Sequence, residues 1–479
     1  MEPRVNWLLL GNMMLVSFLI GISHRIFAIS LPTIARSLET DIVGISWALI
    51  SFQLSTISLS LVFGRIGDLH GRQSVLAAGL WIFTISSFLC GIAQDILQLV
   101  LFRLLQGIGA AMAQAQSRVL AMEAAPESWA GKTQGLMTTA HHSGFLFGPS
   151  LGGLIIDYIH WRGVFFFLVP LGAAGAVLTW INKKRPAPSG NAPPTSPRAA
   201  IDYLGASLLV LATVAMIALL DRRLMEILSR GWQIALVVAF VSLFSGFIFR
   251  EATASSPILE LSLFRIRLFA FSTICLLLMT ITQSLTGFLL PFYFQEILHL
   301  SPTFMGFLFM SMPIFSVTLS PVGGLLSDKV GPRLPATAGV FFFGVAALLG
   351  AFLRTDSQWL LPTVMLALGG LGTGFFYPPN HTAMISSVPQ EHRGVASGSL
   401  YMMFGLGNIL GITLGSFFMT ASFRFHSGLP GASATTAEPS AFVAALNTTF
   451  LAAVAFSLIA AFCSLSSGNK ATEAAAISS

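Results

Sequence analysis

Charge is scarce in this chain. Of its 479 residues only 9% are Asp, Glu, Lys or Arg, where a soluble domain carries about 25%. With 54% hydrophobic residues and a mean hydropathy of +0.80, a water-soluble fold is excluded and a polytopic membrane protein is indicated. Cysteine is scarcer still: Cys90, Cys275 and Cys463 each lie inside an apolar run. That excludes a disulfide framework and a Cys-based metal site. Carboxylates are missing from the middle of the apolar runs. All nineteen Asp and Glu lie in loops or within a turn or two of a run's end, the least clear being Glu123, Asp157, Asp202 and Glu296. There is no HExxH, no paired intramembrane Asp and no GxxxxGK[ST] loop. A membrane enzyme and direct ATP drive are therefore set aside. No soluble segment is large enough to be a sensor's output domain. The net charge of +6 comes from basic loops and is no sign of nucleic-acid binding.

What the chain does have is long apolar runs. They cover roughly 6–30, 43–63, 74–93, 96–121, 133–156, 162–181, 204–220, 231–249, 268–294, 303–326, 335–353, 357–380, 395–420 and 440–465. Each is near the ~20 residues a spanning helix needs, and backbone groups in lipid must pair internally, so fourteen helical spans are expected. The first run, from Trp7 to Ile29, is too long for a signal-peptide core and lacks a small-residue cleavage site, so it reads as span 1. Fourteen spans put both termini on one side. With that side cytoplasmic, inner segments hold fifteen Lys/Arg and outer loops seven. The remaining three, Arg25, Arg103 and Arg118, fall inside spans. The positive-inside rule then places both termini in the cytoplasm.

The chain repeats itself. GRIGDLHGR (Gly64–Arg72) is echoed by GGLLSDKVG (Gly323–Gly331), 259 residues on. PESWAGKTQG at 126–135 is echoed by PQEHRGVASG at 389–398, an offset of 263, and the first spans of the two halves start about 262 apart. The expected organisation is a six-helix bundle over 1–181, a linker over 182–203, two inserted helices over 204–249, a connector over 250–267, a second six-helix bundle over 268–466 and a tail over 467–479. Same-sense halves of this kind are a transporter architecture.

Several motifs carry physics of their own. Gly64, Gly67 and Gly71 allow a tight turn, and Asp68 and Arg72, four apart, can pair if the segment is helical. Asp328 holds the corresponding place in the echo. In span 4, Arg103, Gln106, Ala110, Gln114 and Arg118 recur at helical spacing as a polar stripe. A mid-membrane Arg costs ~2.5–3.5 kcal/mol on insertion scales, so Arg103 should face a cavity or a partner. In span 5, Gly144, Gly148 and Gly152 form a small-residue stripe with Pro149 beside it.

These motifs resemble those of the major facilitator superfamily, in its fourteen-span drug:proton antiporter branch. GRIGDLHGR is similar to the family's loop between spans 2 and 3, LFRLLQGIGAA (Leu101–Ala111) to its span 4 motif, and GFLFGPSLGG (Gly144–Gly153) to its span 5 antiporter motif. The resemblance implies a multi-pass protein of a bacterial plasma (inner) membrane that exports small amphiphilic molecules by alternating access. It implies the proton gradient as energy source with no cofactor, a monomer in the lipid bilayer, and an accessory periplasmic protein as an open possibility. It assigns Gly64, Asp68, Gly71, Arg72 and Asp328 to a cytoplasmic latch, and Gly144, Gly148, Pro149 and Gly152 to a hinge and seal between the halves.

The chain departs from the branch in one respect that matters. Where a span 1 Asp is usual it has Ser23, followed by His24 and Arg25. Imidazoles titrate near neutral pH and can carry protons instead; His24, His141, His142 and His381 are the candidates, though a lone His such as His381 is also ordinary packing. The substrate and coupling set is therefore Arg25, His24, Arg103, Gln106, His141 and His142, with Gln283 and Tyr293 from span 9, which answers span 1 in the repeat. The intramembrane charge left over is positive, so a rival to the general exporter of amphiphilic molecules is an exporter of an anionic metabolite or lipid.

Overall fold

A computed structural model describes residues 5–126, 129–183, 203–254, 259–389, 392–428 and 438–467. Most of the expected linker and nearly all of the tail lie outside the described residues, as does the side chain of Asp68. Every regular element among the described residues is helical: α1 (Trp7–Ser37), α2 (Ile42–His70), α3 (Arg72–Ile92), α4 (Ile96–Glu123), α5 (Ala130–Tyr158), α6 (Trp161–Lys183), α7 (Tyr203–Leu220), the short α8 (Arg222–Ile227), α9 (Arg230–Thr253), α10 (Arg267–Phe292), α11 (Pro302–Phe309), α12 (Ser311–Val330), α13 (Arg333–Gly350), α14 (Leu360–Ser386), α15 (Arg393–Ser427) and α16 (Pro439–Ser466).

All fourteen apolar runs are helical. Twelve of the helices are long and apolar enough to cross a membrane, counting α11 with α12 as one. The other two runs are α5, diluted by glycines, hydroxyls and the His141–His142 pair, and α7, an apolar helix counted there only over Ser207–Leu220. Several helices outrun the apolar stretch that announced them. α1 continues past Pro32 to Ser37, and α2 runs on through Arg65 and Asp68 to His70. Hydropathy marks the hydrocarbon-length stretch, but charged residues extend a helix into the interface without penalty. The tenth run breaks into α11 and α12 at Met310. Pro313 has no N–H for the Phe309 carbonyl and its ring crowds that carbonyl, so the break falls one turn upstream of the proline.

The chain divides into two compact units. One takes in the described parts of Met1–Thr40 and Trp47–Tyr203 with the short segment Ser301–Gly306; the other takes in Asp41–Ser46, Leu204–Leu300 and the chain from Phe307 on. The inserted helices α7 and α9 thus group with the second unit. Within it α8 is tied down by an ion pair between Glu226 and Arg424 of α15, and Phe247 of α9 packs with Leu259 and Met402. The rest of α9 turns its apolar side chains outward, with Trp232 68% and Phe249 71% exposed. This is what lipid-facing helices do, since the solvent is hydrocarbon.

Each unit has its own apolar core. In the first, Met13, Val16 and Ile20 of α1 meet Phe52, Leu80, Phe83, Ala110 and Leu168. In the second, Phe269, Leu276 and Met279 of α10 meet Val340, Phe343, Phe376 and Leu400. The helix pairings match. α1 packs on α5 and α6, and α3 on α4 and α6; likewise α10 packs on α15 and α16, and α13 on α14 and α16. The match extends to single glycines. A Cβ on Gly109 of α4 would lie 2.5 Å from the Phe83 amide nitrogen of α3, and one on Gly372 of α14 would lie 2.9 Å from that of Phe343 on α13. Both pairs are backbone-to-backbone crossings that only a glycine permits.

Candidate functional site

The first unit gathers its ionisable side chains on α1, α4 and α5, helices with almost no acid. Neither α1 nor α4 before Glu123 nor α5 before Asp157 contains an Asp or Glu. Arg103, seven residues into α4, is only 1% exposed. Its Nε donates to the Ala48 carbonyl of α2 at 3.2 Å and its Nη1 to Gln106 Oε1 at 2.7 Å. Gln106 Nε2 then donates to Ser87 Oγ of α3 at 2.7 Å, and Ser87 to the Phe83 carbonyl at 2.6 Å. The guanidinium also lies 4.2 Å from the ring centres of both Phe27 and Phe52. A planar delocalised cation suits such a place because hydrogen bonds fill its edge while ring faces cover its plane.

Of the cavity or partner expected for Arg103, the structure shows partners. The group sits behind Phe27 and Phe52 and ties α1, α2, α3 and α4 together. In this arrangement it is a positioning residue. What it positions lies next door: His24 of α1 meets Phe52 edge-on at 5.1 Å.

The accessible part of the cluster is built around Phe145 of α5. The Arg25 guanidinium lies 4.9 Å from the Phe145 ring centre. The His24 ring is near-parallel to it at 6.2 Å, His141 approaches at 4.9 Å and His142 at 6.3 Å. His24, Arg25, His141 and Phe145 are half-buried and His142 is exposed. His141 Nδ1 stands 3.2 Å from the Ser17 carbonyl. A carbonyl can only accept, so Nδ1 carries the hydrogen and Nε2 is left to take a proton.

The glycine stripe of α5 sets this geometry. A Cβ on Gly144 would lie 2.5 Å from the Phe18 oxygen and the Ile22 nitrogen of α1, and one on Gly148 would lie 2.8 Å from Arg25 Cβ. Gly152 approaches Ile26 in the same way. The stripe therefore packs α5 closely on α1 within the first unit. It is what lets Arg25 and His24 reach across to Phe145.

The second unit holds neutral polar pairs on α10, α14 and α15. Tyr377 Oη of α14 donates to Gln283 Oε1 of α10 at 2.5 Å, and Ser284 Oγ donates to Asn408 Oδ1 of α15 at 2.5 Å. His381 lies tilted beside Tyr377 at 5.6 Å. Tyr293 is elsewhere: it occupies a π-helical turn and its hydroxyl donates to the Arg354 carbonyl at 2.6 Å. That makes it an anchor for a loop and removes it from the polar group around Gln283.

A family model for the Major Facilitator Superfamily matches residues 13–289 and again 272–475. The chain belongs to this superfamily. Among its relatives in the superfamily are the riboflavin transporter RibZ of Clostridioides difficile, 28% identical over 88% of this chain and 90% of that protein. The multidrug transporter protein MdtP of Bacillus subtilis is 27% identical over 85% of this chain and 74% of that one. The multidrug export protein EmrB of Haemophilus influenzae is 26% identical over 84% and 78%. An inward-facing, unoccupied bacterial homolog of the human lysosomal transporter Spinster shares the fold, with a TM-score of 0.69, 17% identity and 96% of each chain covered. A POT family transporter bound to a thioalcohol-conjugated peptide does so at 0.68, with 14% identity over 94% of each chain.

The superfamily's loop motif takes a definite form here. α2 ends at His70 and α3 starts at Arg72, with Gly71 between them at φ 92°. Asp68 and Arg72 therefore belong to different helices, so the condition for their pairing on one helical turn is not met. Arg72 pairs with Glu123 at the end of α4. Gly67 lies against the Gln116 side chain, which donates to the Phe63 carbonyl at 2.6 Å. Gly64 has open space around its Cα. In the second unit Gly331, at φ 83°, ends α12 as Gly71 ends α2, and Asp328 is exposed one turn earlier.

Phe145, Phe27, Phe52 and Ser87 were not among the expected site residues. A chain with 41 Phe offers no periodic signal for three of them. Asn408 and Tyr377 were missed as well.

Proposed function

We propose that this protein is a secondary active exporter of small amphiphilic molecules, of the fourteen-span drug:proton antiporter branch. It works by alternating access between two six-helix bundles, 1–181 and 268–466, with 204–249 as inserted helices and both termini in the cytoplasm. It resides in a bacterial inner membrane, acts as a monomer without a cofactor, and performs transport rather than catalysis. The multidrug names of MdtP and EmrB support the substrate class. RibZ, named for riboflavin, supports a substrate with a flat ring system.

The observation that carries this reading is the cluster on α1 and α5. Ionisable groups in membrane helices are costly and mark substrate and proton paths. With no carboxylate in these helices short of their ends, the imidazoles of His24, His141 and His142 take the proton-carrying role. Arg25 and Phe145 meet the substrate; Arg103 and Gln106 hold the aromatic wall; Gln283 contributes a neutral contact. The latch of Gly64, Asp68, Gly71 and Arg72, with Asp328 in the second half, governs opening on the cytoplasmic side.

The test is uptake of a fluorescent amphiphilic dye into proteoliposomes. Accumulation that follows an imposed pH gradient and collapses with a protonophore is the expected result. Uptake indifferent to the gradient removes proton coupling, and no uptake of any amphiphile removes the exporter reading.

A further inference from the structure

We infer that the cluster on α1 and α5 selects flat aromatic anions, such as aromatic carboxylates, over lipophilic cations. The inference rests on the exporter reading for its physiological sense, but the binding it asserts stands on the site alone.

Three observations meet here. The first is the sign of the charge. The charged or titratable groups close enough to act on His24 are His141, Arg103 and Arg25; those acting on His141 are His142, Arg118 and Arg25. Every one is a cation or becomes one. α1 has no acid, and neither do α2 before Asp68, α4 before Glu123 or α5 before Asp157. In a low-dielectric interior a second cation meets unscreened repulsion at this place, while an anion is attracted from several sides. The second observation is shape. Phe145 presents a ring around which His24 lies near-parallel and His141 and His142 lie tilted. Aromatic rings pair well in offset-stacked and edge-on geometry, so a planar ligand finds partners in both. The third is that the two features coincide. The Arg25 guanidinium sits over that same ring at 4.9 Å, so one ligand can stack and place its carboxylate on a fork of N–H donors.

Access and support are both in place. His142 is exposed, while Arg25, His24 and Phe145 are half-buried. Arg25 is held from behind by the close approach of Gly148. The second unit does not duplicate the arrangement: Gly287 stands 262 residues after Arg25, Thr286 after His24, and Asn408 stands 263 after Phe145.

The experiment is equilibrium binding to the purified full-length protein in nanodiscs, with three probes. They are 2-naphthoate, 2-naphthylmethylamine and cyclohexanecarboxylate. Naphthoate should bind at least about 10-fold tighter than either of the others. Arg25→Gln should weaken naphthoate binding about 10-fold or more, and Arg25→Lys, which keeps the charge, should retain part of it. Phe145→Leu should weaken naphthoate but leave cyclohexanecarboxylate within a few-fold. Thermal unfolding of each variant reports that it is folded, and the comparison among probes on wild-type protein needs no variant. Equal or tighter binding of the amine overturns the inference, and so does an Arg25→Gln protein that folds and binds naphthoate normally. The same probes and a cationic dye are then tested for uptake in proteoliposomes. A dye that is carried while naphthoate is neither bound nor moved sinks the inference and leaves the exporter reading standing. Naphthoate that binds as described while nothing is transported does the reverse.

Discussion

Replacing Arg103 by Met should destabilise the first unit far more than it weakens substrate binding. The substitution keeps length and helix propensity but deletes two hydrogen bonds, to the Ala48 carbonyl and to Gln106 Oε1. Bonds from a charged donor are worth about 1.5–3 kcal/mol each. It also removes a cation held 4.2 Å from two ring centres, Phe27 and Phe52, each contact worth about 2 kcal/mol when desolvated. Against this, the buried charge that Met replaces costs about 2.5–3.5 kcal/mol in a membrane helix. The losses exceed the relief by roughly 4–7 kcal/mol. Arg103→Lys should fall between, because an ammonium keeps the charge but cannot fork to two partners or lie flat between rings. Part of the damage comes from the Gln106 oxygen left buried without its donor. Arg103→Met combined with Gln106→Leu should therefore be more stable than the two single losses added together. The assay is thermal unfolding in nanodiscs, paired with substrate binding measured below the transition. The expected order of melting temperature is wild type, Lys, Met, with binding by the folded Met protein within about 3-fold of wild type. An Arg103→Met protein with unchanged melting temperature and binding weakened 10-fold or more would refute the reasoning, because Arg103 would then be touching ligand.

Three further outcomes test other parts of the structure. Gly109→Ala and Gly372→Ala should each cost about 1–3 kcal/mol by forcing backbones apart, whereas Gly287→Ala, with nothing within 4 Å of the new methyl, should be neutral or stabilising by up to about 1 kcal/mol; equal effects in thermal unfolding would show that the crossings are looser than described. Gly71→Ala and Gly331→Ala place a side chain at φ 92° and 83° and should each cost on the order of 1–2 kcal/mol, again read by thermal unfolding. His141→Gln preserves a donor for the Ser17 carbonyl but cannot take up a proton, so uptake driven by a pH gradient should collapse while binding stays within a few-fold. Full gradient-driven uptake by that variant would remove His141 from the coupling role.

Much of the helical layout was legible in the sequence, for a simple energetic reason. Lipid tolerates no unpaired backbone, so a long apolar run has one solution and its position can be read directly. Helix ends were less legible, because polar residues such as Arg65 and His70 continue α2 where hydropathy has already stopped. The repeat was legible at its loops, where GRIGDLHGR and GGLLSDKVG share small and charged residues. Its clearest form was harder to see. Gly407, Gly411 and Gly415 follow Gly144, Gly148 and Gly152 by 263 residues, and pack on Thr280, Ile281 and Leu285 of α10 as the first stripe packs on α1. Glycines are common in membrane helices, so only a pairing of stripes separates a crossing from background. At the candidate site the charged members stood out because a charge in an apolar run is rare. Their partners did not. One Ser among many caps Gln106, and the rings that enclose Arg103 and receive Arg25 are among 41 Phe with no periodicity to set them apart.

The two units differ in an instructive way. Gly79 and Gly109 in the first have counterparts in Gly339 and Gly372 in the second, and all four sit where a Cβ would meet the opposing helix backbone. The charged groups at Arg25, Arg103 and His141 have no such counterparts. At the repeat's offsets, Leu366 answers Arg103, Gly287 answers Arg25 and Phe404 answers His141. A close crossing is needed wherever two helices must meet at backbone range, so both bundles require it. A charge is needed only where a ligand or a proton is met, and it carries a desolvation cost everywhere else. Duplication of the fold therefore preserves the glycines and has no reason to preserve the cations. The neutral pairs of the second unit, Tyr377 with Gln283 and Ser284 with Asn408, both donate and accept, and such groups tolerate either sign of ligand. On the proposed reading, charge selection is decided on α1 and α5. Tyr377→Phe should then leave the ratio of naphthoate to naphthylmethylamine affinity unchanged, while Arg25→Gln should change it. A Tyr377→Phe protein that altered the ratio would place part of the selectivity in the second unit and break this division.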